Sequence, residues 1–219
     1  MANRNITLSL PEDLLKQARI IAAECDTSVS RLVADALKEI VERRTGYEQA
    51  RRRSIARLEK ASTSALVERL VGRGTNCMTG DSDPRFVDSS VLIYAHDLDT
   101  GNKHKLAQAL IHDLWESGRG RLSIQVLQEF FVTVTRRIPN PIDSDEAAEA
   151  IEDFAQWNVH APTPADVLDA IAIHRRFDIS FRDAMILNSA SKLGCQIVYS
   201  EDLNAGQRYD GVRVVNPLF

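Results

Sequence analysis

The hydrophobic period changes along the chain, and the changes divide it into three parts. From Asn5 to Leu10 polar and apolar residues alternate, with Asn5, Thr7 and Ser9 on one face and Ile6, Leu8 and Leu10 on the other. A period of two predicts a half-buried strand. Pro11 then opens a helix, because proline suits the first helical turn. Leu14, Leu15, Ala18, Ile21 and Ala22 give that helix an apolar face. Ser28 can cap a second helix, in which Val29, Leu32, Val33, Ala36, Leu37, Ile40 and Val41 recur at helical spacing. Gly46 is expected to break it. One strand and two helices cannot enclose a core. Residues 1–46 are therefore expected to pair with a second copy.

Residues 47–73 begin with the basic run Tyr47-Glu48-Gln49-Ala50-Arg51-Arg52-Arg53. Ala56, Leu58, Leu66, Val67, Leu70 and Val71 supply only broken apolar patches. That pattern suits either a segment that becomes ordered on a partner or a solvated helical linker. From Gly74 to Pro84 periodicity is lost among Gly, Asn, Asp and Ser, which is linker chemistry. Met78, inside it, is where a second reading frame would start, so two neighbouring genes could be joined here.

Residues 85–219 alternate strands and helices. Phe86-Val87, Arg121 to Ser123, Gln196 to Tyr199 and Val212 to Val215 read as short apolar strands. Between them lie helices at Lys103 to Ser117, after the Ser123 cap, after Ser144, after Thr163-Pro164 and after Ser180, the last ending at Gly194. Strands separated by helices predict an α/β fold, a parallel sheet covered on both faces.

Composition adds one asymmetry to an ordinary profile of 44% apolar and 26% charged residues. Residues 1–80 hold 14 Lys and Arg against 10 Asp and Glu, a net +4; residues 81–219 hold 13 against 21, a net −8. A basic front and an acidic back imply different partners. No apolar run approaches the roughly 20 residues of a membrane span. The start, Met-Ala-Asn-Arg-Asn-Ile-Thr, lacks a signal-peptide core. Cys25, Cys77 and Cys195 form no paired motif, so the expectation is free thiols in the cytoplasm. The five histidines show no metal-ligand spacing and are expected on surfaces or core edges.

The candidate chemistry is carboxylate. Asp88 follows Arg85-Phe86-Val87, and Glu129 lies inside Val126-Leu127-Gln128-Glu129-Phe130-Phe131. Asp183 opens a helix after Phe181-Arg182, and Asp202 follows Ile197-Val198-Tyr199-Ser200-Glu201. An acid set against apolar chain is costly unless neutralised. No basic cluster accompanies all four, and oxygen-only ligands favour Mg²⁺ or Mn²⁺. Each acid has a plainer role available. Asp88 can be a helix N-cap, Asp183 half of a reciprocal cap with Ser180, Asp202 a turn residue, and Glu129 can stay wet on one face. Which of Glu201 and Asp202 would face a metal stays open.

About residues 3–44 resemble the ribbon-helix-helix family of DNA-binding proteins. The resemblance implies a dimer whose paired strands enter the major groove, with Asn5, Thr7 and Ser9 reading operator DNA. The alternative is a dimerisation clip whose polar strand face is merely solvated. Residues 86–219 look like a PIN domain of the VapC-type toxin ribonucleases. The matching runs are Phe86 to Tyr94, Ser123 to Phe130, Ile179 to Ile186, Val198 to Leu203 and the closing Val214 to Phe219, with the acids in family order. Ser90 and Ser200 stand where that family often has Asn and Thr. This resemblance implies Mg²⁺-dependent cleavage of RNA, with Asp88, Glu129, Asp183 and Asp202 as metal ligands and catalytic residues, and makes Arg136, Arg137 and Arg182 candidates for holding the strand. Joined, the parts are similar to a VapBC-type toxin–antitoxin pair in one chain. Residues 47–84 would then be the inhibitory segment and linker, with Arg69 and Arg73 supplying counter-charge to the acids and Arg51, Arg52 and Arg53 as alternatives. The rival readings are a DNA-binding autorepressor with an inert second unit, and a structure-specific DNA nuclease.

Overall fold

The computed structural model describes residues 7–61 and 83–219. Contacts divide the chain into two units, Met1–Gly46 and Tyr47–Phe219. In the first, α1 (Glu12–Glu24) starts after Pro11 as expected, and α2 begins at Val29, where the Arg31 amide donates to Ser28 Oγ. Residues 7–10 carry no strand; Asn5 and Ile6 lie outside the described residues. A lone strand has no ladder to join, so a single chain cannot form a ribbon. Leu8, Leu14, Ile20, Ile21, Ile40 and Val41 are exposed, and Ala22 is buried.

Gly46 does not end the second helix: α2 runs from Val29 to Ala61. A glycine inside a helix costs only about 1 kcal/mol relative to alanine. Good helix formers follow it, and residues 47–61 are held by the second unit. Ala50 and Leu58 are buried in that unit's main hydrophobic cluster, and Ser54 is buried too. Tyr47 packs its ring 5.2 Å from that of Trp115 and donates its hydroxyl to the Trp115 carbonyl at 2.7 Å. Gln108 Nε2 donates to the Leu58 carbonyl. Arg51 pairs with Glu116 at 2.7 Å. Asp153, whose side chain is 0% exposed, takes Arg53 on Oδ1 at 2.6 Å and Arg57 on Oδ2 at 3.0 Å.

The second unit contains a six-stranded sheet in the order β3-β2-β1-β4-β6-β5. The strands are β1 (Arg85–Val87), β2 (Gly120–Ser123), β3 (Asn158–His160), β4 (Ile197–Tyr199), β5 (Arg208–Tyr209) and β6 (Val212–Val215). All neighbours pair in parallel except β5 with β6. The expected α/β architecture is present, with two more strands than the sequence reading contained. Asn158-Val159-His160 has polar ends, and Arg208-Tyr209 is only two residues long.

The helices are α3 (Ser89–His96), α4 (Asn102–Ser117), α5 (Ile124–Arg136), α6 (Ser144–Phe154), α7 (Pro164–Phe177) and α8 (Phe181–Lys192). Gly118, at φ 66°, ends α4 in the left-handed conformation that lets the chain turn into β2. Phe130, Trp115, Phe154 and Trp157 stack edge to face or offset through the core. His104, expected near the surface, is buried with Nδ1 against the Tyr94 carbonyl. No helix among the described residues is long and apolar enough to cross a membrane.

Candidate active site

The strand order reverses between β1 and β4. From β1 the chain first moves outward through β2 and β3, then returns to the other side of β1 as β4. In open α/β sheets the crevice at such a switch point, beyond the carboxyl ends of the strands, is where ligands bind. Asp88 directly follows β1, Asp202 lies just past β4, and Glu129 sits on the helix that leaves β2. Topology therefore brings these three acids to one crevice.

Asp88 is 2% exposed. It caps α3 by accepting from the Ser89 amide at 2.6 Å on Oδ1, and Ser200 Oγ donates to its Oδ2 at 2.7 Å. Burial pushes its pKa above the ordinary carboxylate value, and nearby Asp202 adds to the rise. The Ser200 and Ser89 hydrogen bonds and the Arg182 charge oppose it. Ser89 Oγ lies 2.9 Å from Glu129 Oε2 and 3.2 Å from Asp88 Oδ1. A hydroxyl has one proton, so the shorter contact to Glu129 is its donor bond.

Arg182, in the first turn of α8, points into this set. Its Nη2 is 2.6 Å from Glu129 Oε2, 3.1 Å from Ser89 Oγ and 3.9 Å from Asp202 Oδ2. One guanidinium thus neutralises two carboxylates and touches the serine that bridges to the third. Arg182 also lines a neighbouring groove of about 460 Å³ with Ile124, Gln128, Val167 and Phe181.

Asp183 is placed differently. Its amide donates to Ser180 Oγ at 3.1 Å, and Ser180 Oγ lies 2.7 Å from its Oδ2. This is the local cap that Ser180-x-x-Asp183 allows, and its partners differ from those of the other three acids. Glu201 and Asp202 have different partners. Glu201 pairs with Lys103 and accepts from Tyr94; burial raises its pKa, but these two partners outweigh burial and lower it. Asp202 faces Arg182. Lys103 carried no signal in the sequence, because its partner is 98 residues away. Ser89 could have been noticed as the small hydroxyl beside an acid at a strand end.

Arg69 and Arg73 lie outside the described residues. Their alternatives Arg51 and Arg53 are engaged by Glu116 and Asp153 rather than by the acid crevice. Arg136 and Arg137 are exposed at the far end of α5 from the β2 edge. Asn5 also lies outside the described residues, while Thr7 and Ser9 are exposed.

Among the described residues no group of three or more His, Cys, Asp or Glu side chains is disposed to hold a metal ion. The donor chemistry nevertheless fits one. Asp88, Glu129 and Asp202 offer only hard oxygen, which suits Mg²⁺ or Mn²⁺, and the guanidinium among them is a stand-in cation. Residues 85–210 match the family model of the PIN domain. A search of the curated proteins returned no match.

Proposed function

The chain belongs to the PIN-domain family, and on that premise we propose that residues 85–219 form a Mg²⁺-dependent endoribonuclease. The observation that carries this is the meeting of Glu129 and Asp202 on the Arg182 guanidinium at the strand switch point, with Ser89 Oγ bridging Glu129 to Asp88. Asp88, Glu129 and Asp202 would hold the ion. Asp183, one residue from Arg182, would join them by turning from Ser180. A bound Mg²⁺ or Mn²⁺ supplies Lewis-acid activation of water and charge neutralisation at the phosphodiester. The chain's own part is positional. Ser89 and Ser200 fix the Asp88 carboxylate in its rotamer. Ser89 ties Glu129 to Asp88, and the buried floor beneath Asp88 limits water there.

Residues 47–84 act as the inhibitory segment of a toxin–antitoxin fusion. Residues 47–61 dock through Tyr47, Ala50 and Leu58, and Arg69 and Arg73 of the segment that follows silence the acids. Residues 1–46 form a ribbon-helix-helix dimer that binds operator DNA through Asn5, Thr7 and Ser9 and regulates its own transcription. Its exposed Leu14, Ile21, Ile40 and Val41 support this, because a second copy would cover them. The test uses the full chain carrying Arg69→Ala and Arg73→Ala, supplied with single-stranded RNA, duplex RNA and DNA. Cleavage of RNA in Mg²⁺ but not in EDTA is expected. Cleavage of DNA alone would establish the DNA-nuclease reading, and no cleavage of either would leave an inert autorepressor.

A further inference from the structure

We infer that Arg182 is a resident counter-cation, one that a divalent metal must displace before the acid crevice can be loaded. This rests on the metal-dependent reading above and adds a regulatory device to it. A metal-free cluster of carboxylates repels itself, and Asp88 is buried within it. Nη2 of Arg182 answers that repulsion, 2.6 Å from Glu129 and 3.9 Å from Asp202, with Ser89 Oγ linking it towards Asp88. A guanidinium and a dehydrated divalent ion cannot share those oxygens, so arginine release and metal entry are one exchange. Arg182 is suited to move. Its side chain is 45% exposed, and its stem borders the open groove beside Phe181 and Ile124. The counter-charge that the sequence assigned to Arg69 or Arg73 is thus already met within the second unit. This internal layer remains when the inhibitory segment is removed, and it raises the metal concentration that loading the crevice requires.

The exchange predicts that removing the guanidinium tightens metal binding. The full chain carrying Arg69→Ala and Arg73→Ala is titrated with MnCl₂ by calorimetry, with position 182 wild type, Arg182→Gln or Arg182→Lys. Arg182→Gln is expected to bind Mn²⁺ about fivefold more tightly, the factor carried by a partly exposed ion pair. Arg182→Lys, which keeps a cation, should stay close to wild type. In thermal melts Arg182→Gln should lose stability in EDTA and recover it in saturating Mn²⁺. Arg182→Met, which keeps the apolar stem, serves if the glutamine variant does not fold. Wild-type affinity for Mn²⁺ in Arg182→Gln, or an equal loss of melting temperature with and without metal, overturns the exchange and leaves the metal site standing. Failure of both wild type and variant to bind Mn²⁺ overturns the metal reading as well.

Discussion

Removing the two arginines that serve Asp153 should separate residues 47–61 from the domain they cover. Asp153 is fully buried, and each of its oxygens is held by a different arginine from α2. The two are not equivalent. Arg57 is 15% exposed and Arg53 is 54% exposed. Arg57→Ala alone leaves Asp153 its Arg53 partner and removes one charged hydrogen bond, which costs about 1–3 kcal/mol. Arg53→Ala with Arg57→Ala leaves a buried carboxylate without counter-charge, and breaking a buried pair from one side costs about 3–5 kcal/mol. Adding Asp153→Asn to the double change removes the stranded charge, so it should recover at least about 1 kcal/mol of that loss. The assay is urea unfolding followed by tryptophan fluorescence. Both tryptophans, Trp115 and Trp157, lie in the second unit, and Trp115 touches Tyr47. A double variant within about 0.5 kcal/mol of wild type, the range of ordinary surface changes, would refute the reasoning. So would an Asp153→Asn addition that deepens the loss.

Asp88→Asn should raise the melting temperature in EDTA at neutral pH. With a folded pKa above its ordinary 3.8, Asp88 contributes stability only below that value and loses it as pH rises through the folded one; the gain from Asn should therefore vanish near pH 3, and a gain independent of pH would contradict this. Sedimentation velocity should find the full chain dimeric, and Ile40→Glu with Val41→Glu should give monomer; a wild-type monomer would sink the pairing of the first unit. Asn5→Ala with Thr7→Ala should weaken operator binding more than binding to random duplex at the same salt, and equal loss on both in a gel-shift titration would mean that this face does not read bases.

Asp88, Glu129 and Asp202 were legible because each lies within or just past an apolar run, and the sheet topology then had to bring those runs together. Asp88, Glu129 and Asp202 meet at the β1/β4 switch point that alternating strands and helices imply. Asp183 was legible equally as a helix cap, and its contacts are those of a cap. What stayed hidden was long in range. The Arg182 guanidinium meets Glu129 across 53 positions, and the Arg53 pair with Asp153 spans 100. Neither distance leaves a periodic trace. The helix that continues through Gly46 was missed for a related reason. A local breaker was weighed without the tertiary surface that Tyr47, Ala50 and Leu58 cover. Residues 47–61 use the side of the domain at α4 and α6 instead of the acid crevice.

The central claim is that Asp88, Glu129 and Asp202 act together as the metal-dependent cleavage centre, with Glu201 outside it. The most direct measurement is the initial rate of RNA cleavage in Mg²⁺ by the full chain carrying Arg69→Ala and Arg73→Ala, compared with the same chain carrying in turn Asp88→Asn, Glu129→Gln, Asp202→Asn and Glu201→Gln. The account predicts loss of at least about a hundredfold for each of the first three, the scale of losing a group that stabilises developing charge, and a rate within severalfold of the parent for Glu201→Gln. Full cleavage by Asp88→Asn, or a collapse confined to Glu201→Gln, would contradict it.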